Sequence, residues 1–132
     1  MSTSARRRIA VLLALALLAG CAAEVRVTPA QLAPLSQPQP DVVVTRDAPV
    51  RLSTGYTRTV PEKSQWRAVG TLAQGTVYRP VNTVFAIEGR NVHEAWLVVR
   101  GASLQGFWLP GENHYSGLEQ SIPMTLEGGA QR

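Results

Sequence analysis

The sequence predicts an all-β fold, in which a small antiparallel meander forms a β-sandwich or a small β-barrel. From residue 41 onward, short runs rich in β-branched and aromatic residues alternate with turn-forming Gly, Asn and Pro residues. After the first 20 residues, no window of about 12 residues carries a 3.6-residue apolar period with helix caps. The β domain is therefore expected over residues 41–127, followed by a flexible C-terminal tail at 128–132.

The predicted strands are joined by short connections. The runs 42–45 and 50–52 flank a turn at Asp47-Ala48-Pro49 and are typical of edge strands. Residues 53–64 and 111–117 are rich in turn formers and are expected to be loops. Five denser strands are expected at 66–72, 76–81, 84–88, 92–100 and 103–109.

Two turns set the expected faces of this sheet. Gly101-Ala102 has glycine first, which favours a two-residue type II′ hairpin. A three-residue turn at 89–91, with Asn91 in the left-handed region, would place Phe85 and Ile87 on the same apolar face as Leu97. The burial of these two large side chains favours a three-residue turn over a two-residue turn. The expected core is Phe85, Ile87, Ala95, Leu97, Val99, Leu104 and Trp108, joined by Trp66, Leu72 and Val77.

The opposite face of the Gly101-Ala102 hairpin supplies the candidate binding residues. Trp96 and Phe107 are expected to lie near one another there, bordered by Arg100 and Gln105. Exposed aromatic residues of this kind are typical of partner-binding surfaces. A second layer, such as strands 42–52, would instead cover them and complete a sandwich or barrel. Both interpretations stay open.

Catalytic and metal-binding patterns are weak in this chain. His93 and Glu94 are neighbours on a predicted strand, so their side chains point to opposite faces. His114 and Glu112 offer two metal ligands without a third. The serines lack the flanking glycines of a nucleophile elbow, and the glycines form no phosphate loop. We therefore predict no catalytic residue, no metal and no cofactor.

The N-terminal segment is typical of an export signal. Three arginines, 6–8, precede an apolar stretch of about 11 residues, which is shorter than the about 20 needed to span a bilayer. Leu18-Ala19-Gly20-Cys21 ends this stretch, and Cys21 is the one cysteine of the chain. The stretch resembles the lipobox of bacterial lipoproteins. An ordinary secretory signal cleaved elsewhere is the alternative.

The lipobox resemblance implies a location and an anchor. Residues 1–20 would be removed as a signal peptide, and Cys21 would carry a diacylglycerol and usually a further acyl chain, which hold a protein firmly on a membrane. Ala22 stands where lipoproteins kept at the inner membrane often have aspartate. The resemblance therefore implies the periplasmic face of the outer membrane.

Removal of the signal changes the charge of the chain. Three of the 13 Lys and Arg residues leave with it and all nine Asp and Glu residues remain, so 10 minus 9 leaves about +1. This balance argues against a nucleic-acid partner. Residues 22–40 carry four prolines and no aromatic residue and are expected to form a disordered tether, reaching up to roughly 60 Å when extended.

Together these patterns favour a lipid-anchored, non-catalytic envelope protein. We expect an accessory or scaffold module that faces the periplasm and binds an envelope protein. A lipoprotein inhibitor or small-ligand-binding module is the alternative, since some lysozyme-inhibitor lipoproteins combine an anchor with a small barrel. An envelope hydrolase with dispersed catalytic residues is the third choice.

Overall fold

The computed structural model describes residues 23–128. The predicted signal peptide, the predicted lipidation residue Cys21 and the last four residues lie outside this range. Within it the chain forms β-strands and no helix, so no helix there is long and apolar enough to cross a membrane. The all-β prediction is confirmed.

The described residues form twelve strands. Their bounds are β1 (Thr28–Pro29), β2 (Val42–Val44), β3 (Ala48–Arg51), β4 (Thr57–Val60), β5 (Gln65–Leu72), β6 (Gly75–Pro80), β7 (Ala86–Glu88), β8 (Val92–Glu94), β9 (Trp96–Arg100), β10 (Ser103–Leu109), β11 (His114–Pro123) and β12 (Leu126–Gly128).

Eight strands form one antiparallel sheet in the order β1-β11-β10-β9-β6-β5-β2-β12. This sheet curls into a half-barrel. The hairpins β3-β4 and β7-β8 form two further small sheets. Side chains of both hairpins join one core cluster with those of the large sheet. We call the side of the large sheet that they cover its inner face, and the other side its outer face.

The main core lies between the inner face and the two small hairpins. Phe85 links its parts, because its ring meets Trp66 edge to face with centroids 5.5 Å apart and stacks on Phe107 at 6.0 Å. The Arg58 guanidinium lies 4.5 Å from the centre of the Phe85 ring. Each large apolar side chain buried here contributes about 1.5–3 kcal/mol. Of the expected core residues, Phe85, Ile87, Ala95, Leu97, Val99, Leu104 and Trp66 belong to this cluster.

The Gly101-Ala102 turn has the predicted length and type. Arg100 pairs with Ser103, and Gly101 has φ +59° while Ala102 does not have a positive φ, as a type II′ turn requires. A β-bulge at Gln105 then shifts the register, so that Phe107 pairs with Leu97 and Trp108 with Trp96. The prediction for these two aromatic residues is therefore wrong: Phe107 lies in the main core and Trp108 on the outer face.

The turn at 89–91 is also confirmed in length, since Glu88 pairs with Val92. Asn91 is not among the residues with positive φ, so its predicted left-handed conformation is wrong. The predicted strand 92–100 is divided at Ala95, whose N–H donates to the Phe85 carbonyl, and β8 and β9 belong to different sheets.

Two predicted loops contain strands. β4 occupies part of 53–64, and β11 begins inside 111–117. Gly117 of β11 lies opposite Gly106 of β10, so the glycine that favoured a turn instead permits close pairing of two backbones. The predicted edge strand at 42–45 is β2, which lies between β5 and β12.

Residues 23–33, which we call the strap, pack on the domain. β1 pairs with His114 and Tyr115 of β11, and Ala33 and Thr71 exchange backbone hydrogen bonds of 2.9 and 2.8 Å. Between these points Ala30 and Leu32 cover a second apolar cluster on the outer face. The prediction of a free tether thus does not hold for residues 23–33, because their apolar side chains find an apolar surface. Residues 34–40 join the strap to β2 without forming a strand.

Candidate functional site

The strap and the outer face enclose a groove of about 780 Å³. We call it the tryptophan groove. None of the residues that line it is ionisable. They are Pro29, Ala30, Gln31, Leu32, Trp96, Trp108, Pro110 and Asn113.

Two indoles from neighbouring strands lie side by side in the groove. Trp96 of β9 and Trp108 of β10 are paired residues and therefore project from the same face. Trp108 is 3% exposed, whereas Trp96 is half-buried. The Trp96 indole N–H donates to Glu94 Oε1 over 3.3 Å. Trp96 thus combines an accessible apolar surface with a satisfied polar atom, which suits a contact residue.

The other wall of the groove is built by backbone contacts between the strap and the β10–β11 turn. The Ala30 N–H donates to the Asn113 carbonyl over 3.3 Å. Asn113 has φ +53°, a conformation that asparagine adopts more readily than most residues. Since β1 continues this contact onto β11, the strap is held along the rim of the groove.

A half-buried tyrosine supports the bulge beside the groove. The Tyr115 hydroxyl donates to the Gln105 carbonyl over 3.1 Å. Burial raises the pKa of Tyr115 above its ordinary value, and the positive charge of Arg100 opposes this rise. Tyr115 is therefore neutral near pH 7, and its hydroxyl remains a hydrogen-bond donor.

The four predicted binding residues do not form one site. Trp96 lines the groove, and Phe107 is fully buried in the main core. Arg100, at the far end of β9, donates to the Ala73 carbonyl. Gln105 forms the bulge. The sequence analysis offered strands 42–52 as the layer that would cover the face of Trp96. In the structure the strap covers this outer face instead, through Ala30 and Leu32.

Sequence reasoning missed the part of the groove contributed by Trp108, Pro110, Asn113 and the strap. Gly106 directly after Gln105 was the available signal, because an isolated glycine within a strand is typical of a bulge. The apolar residues Ala30 and Leu32 within the Pro-rich segment were the second signal, since a spacer does not need them.

A second, smaller cavity of about 200 Å³ lies beside the start of the strap. His93 Nδ1 and Glu112 Oε1 are 2.7 Å apart there, and Glu24 and His114 also line the space. Glu94 bonds instead to Trp96 and so does not act with its neighbour His93. In the part of the chain that the structure describes, no three His, Cys, Asp or Glu side chains are placed so that they could hold one metal ion, and the four that line this cavity are no exception.

No protein-family model, curated protein or solved structure matches this chain. The groove is therefore interpreted from its own chemistry. Two indoles, two prolines and two amide side chains supply apolar surface and a few hydrogen-bonding groups, and they supply no nucleophile and no acid or base. Such a lining is suited to binding.

Proposed function

We propose that this protein is a lipid-anchored, non-catalytic envelope protein that binds a protein partner through the tryptophan groove. The lipobox resemblance at Leu18-Ala19-Gly20-Cys21 supports the anchor, with Cys21 as the lipidated residue. Ala22 supports the outer membrane, and export places the β domain in the periplasm.

The accessible Trp96 beside the buried Trp108 is the observation that carries the partner proposal. Tryptophan is enriched among the residues that dominate binding energy at interfaces, which cluster in well-packed pockets. Because no ionisable side chain lines the groove, we propose that the partner inserts an apolar side chain there. Gln31 and Asn113 at the rim would bond to the partner's backbone.

Photocrosslinking in cells tests this proposal. A photoreactive amino acid at Gln31, which is exposed at the groove, is expected to trap one defined protein. The same amino acid at exposed Gln120 of β11 is the matched control and is expected to give no such adduct. Trp96→Ala should remove the Gln31 adduct while leaving the protein folded. An identical adduct pattern from both positions would argue against a binding groove.

The anchor is tested separately. Mass spectrometry of the mature protein is expected to show an N-terminal Cys21 that carries acyl chains. Cys21→Ala should abolish acylation and leave the β domain in the soluble periplasmic fraction. A mature N-terminus at another residue would overturn the lipoprotein assignment without bearing on the groove.

A small-ligand-binding module is the second candidate, and the size of the groove favours it. About 780 Å³ lies within the usual range of about 300–1,000 Å³ for small-molecule sites. Native mass spectrometry of protein released gently from membranes distinguishes the two functions. A constant added mass of a small molecule that disappears in Trp96→Ala would support the ligand function, whereas an added polypeptide would support the partner.

A further inference from the structure

We infer that the tip of the β7–β8 hairpin, residues 89–91, lies in the headgroup layer of the membrane that holds the anchor. The inference rests on the proposed lipidation of Cys21. It concerns how the domain sits on the bilayer, and it makes the lipid surface itself a binding partner of the folded domain.

The strap begins in fixed contact with this hairpin tip. The Arg90 N–H donates to the Ala23 carbonyl over 3.0 Å, and the Arg90 and Glu24 side chains form an ion pair of 3.0 Å. At Gly89 a Cβ atom would lie 2.9 Å from the Ala23 oxygen and 3.0 Å from Val25 Cγ2. The absence of a side chain at Gly89 thus makes room for the strap. Ala23 is therefore held against the tip.

The covalent distance from this contact to the lipid is short. Only Ala22 lies between Ala23 and Cys21. Two residues span at most about 7 Å, since each extends the chain by about 3.3–3.6 Å. The headgroup layer on each side of a bilayer is about 5–7 Å thick. A diacylglycerol on Cys21 therefore brings the hairpin tip to the membrane surface, and the 60 Å reach of a free tether is not available while the strap is docked.

The surface around the tip suits a lipid interface. Four large apolar side chains are exposed within residues 23–128. Val92, 68% exposed, follows Asn91 of the tip, and Val27, 38% exposed, lines the same small cavity as Asn91. Tyr56 is 43% exposed and is two residues from Thr54, which contacts this hairpin. Val92 pairs with Glu88 across the hairpin. The Glu88 carbonyl accepts a 2.8 Å hydrogen bond from the Thr54 hydroxyl, which ties the segment that contains Tyr56 to this hairpin.

The chemistry of these residues matches the headgroup region. Tyrosine is enriched at membrane interfaces, where its ring meets the acyl boundary and its hydroxyl stays in water. The Arg90 side chain is 63% exposed despite its pairing with Glu24, and arginine is attracted to anionic lipid headgroups. The surface next to the anchor thus combines exposed apolar side chains with the Arg90–Glu24 ion pair, in which Arg90 is the group that would contact a headgroup phosphate.

Site-specific fluorescence on the acylated, full-length mature protein tests this orientation. Because acylation consumes the Cys21 thiol, an introduced cysteine is the one free thiol and accepts a fluorophore. Val92→Cys reports on the tip. Gln74→Cys lies in the β5–β6 turn, close to Thr71, which bonds to Ala33 at the opposite end of the strap from Ala23, and it is the matched control. Both proteins are placed in phosphatidylethanolamine–phosphatidylglycerol vesicles that carry headgroup nitroxides.

The fluorophore at position 92 is expected to lose roughly half or more of its emission, because a fluorophore within the headgroup layer, which is about 5–7 Å thick, lies next to the nitroxides of that layer. The fluorophore at position 74 should keep its emission. Equal, weak quenching at both positions in protein with proven acylation would overturn the orientation, since the domain would then stand away from the lipid. Mature protein that mass spectrometry shows to carry no acyl chains would overturn the anchor instead, so the two failures are distinguishable.

Discussion

Gly70 and Ala33 fit together so closely that no side chain can be added between them. A Cβ atom at position 70 would lie 2.5 Å from the Ala33 carbonyl oxygen and 2.8 Å from Leu32 Cδ1. Real Cβ atoms essentially never approach other atoms so closely. Gly70 on β5 therefore receives the end of the strap, as Gly89 receives its beginning. The strap is a fitted part of the fold at both ends.

The first prediction follows from this fit. Gly70→Ala is expected to destabilise the protein by about 1–3 kcal/mol, because the strap or β5 must shift to admit the methyl group. Urea denaturation followed by tryptophan fluorescence measures the loss. Gly111→Ala is the matched control, since no atom lies within 4 Å of its Cβ position and its φ is not positive. Equal midpoints for the two variants would show that the strap does not occupy the Gly70 site.

The second prediction separates three aromatic residues by their surroundings. Trp108→Ala and Phe107→Ala are each expected to cost about 3–5 kcal/mol, because both side chains are buried, in different clusters. Trp96→Ala should cost clearly less, since Trp96 is only half-buried. Chemical denaturation monitored by circular dichroism provides the comparison. A mild effect at Phe107 would contradict its place in the main core.

These aromatic residues also show how far the sequence alone predicts the fold. Period-two alternation and turn chemistry give the β10 bounds, the Gly101-Ala102 turn and the burial of Leu97 and Leu104 correctly. The bulge at Gln105 then inserts one residue, and every later side chain of β10 exchanges faces. A local pattern cannot decide this exchange, because Phe107 and Trp108 are both apolar and either one can fill the core.

The docking of the strap on the domain could not be predicted from the sequence for a different reason. Residues 22–40 contain four prolines, three glutamines and no aromatic residue, and this composition predicts a spacer. The strap docks through a few contacts to residues distant in sequence, such as Thr71 and Tyr115. Those contacts depend on where the curled sheet places its outer face, so the candidate groove that they create is a property of the tertiary structure.

The third prediction tests the support of the bulge. Tyr115→Phe removes the hydroxyl that donates to the Gln105 carbonyl, and we expect a loss of about 0.5–1.5 kcal/mol at neutral pH. Tyr56→Phe is the matched control, because Tyr56 is 43% exposed and its hydroxyl can bond to water in either state. Urea midpoints that fall equally in both variants would argue that the Tyr115 hydroxyl does not hold the bulge.

The fourth prediction concerns pH and the ion pair between β5 and the chain before β2. Arg67 Nε and a terminal nitrogen donate to the two Asp41 carboxylate oxygens over 2.8 and 2.9 Å. These hydrogen bonds hold the pKa of Asp41 below its ordinary value, against a smaller opposing effect of desolvation, and the positive charges of Arg67 and Arg79 add to the lowering. Hydrogen bonding to Asp41 likewise raises the pKa of Arg67.

Because the folded state lowers the pKa of Asp41, the ionised carboxylate stabilises the fold above its unfolded pKa of about 3.9, and this stabilisation is lost as the pH falls through the lower, folded value. Wild-type protein should therefore exceed Asp41→Asn in urea midpoint by a constant margin from about pH 7 down to about pH 5, and the margin should shrink below about pH 4. Arg67→Met should show the same pH-dependent loss, and the double variant should add nothing further to it. A margin that persists unchanged at low pH would mean that Asp41 acts through its shape rather than through its charge.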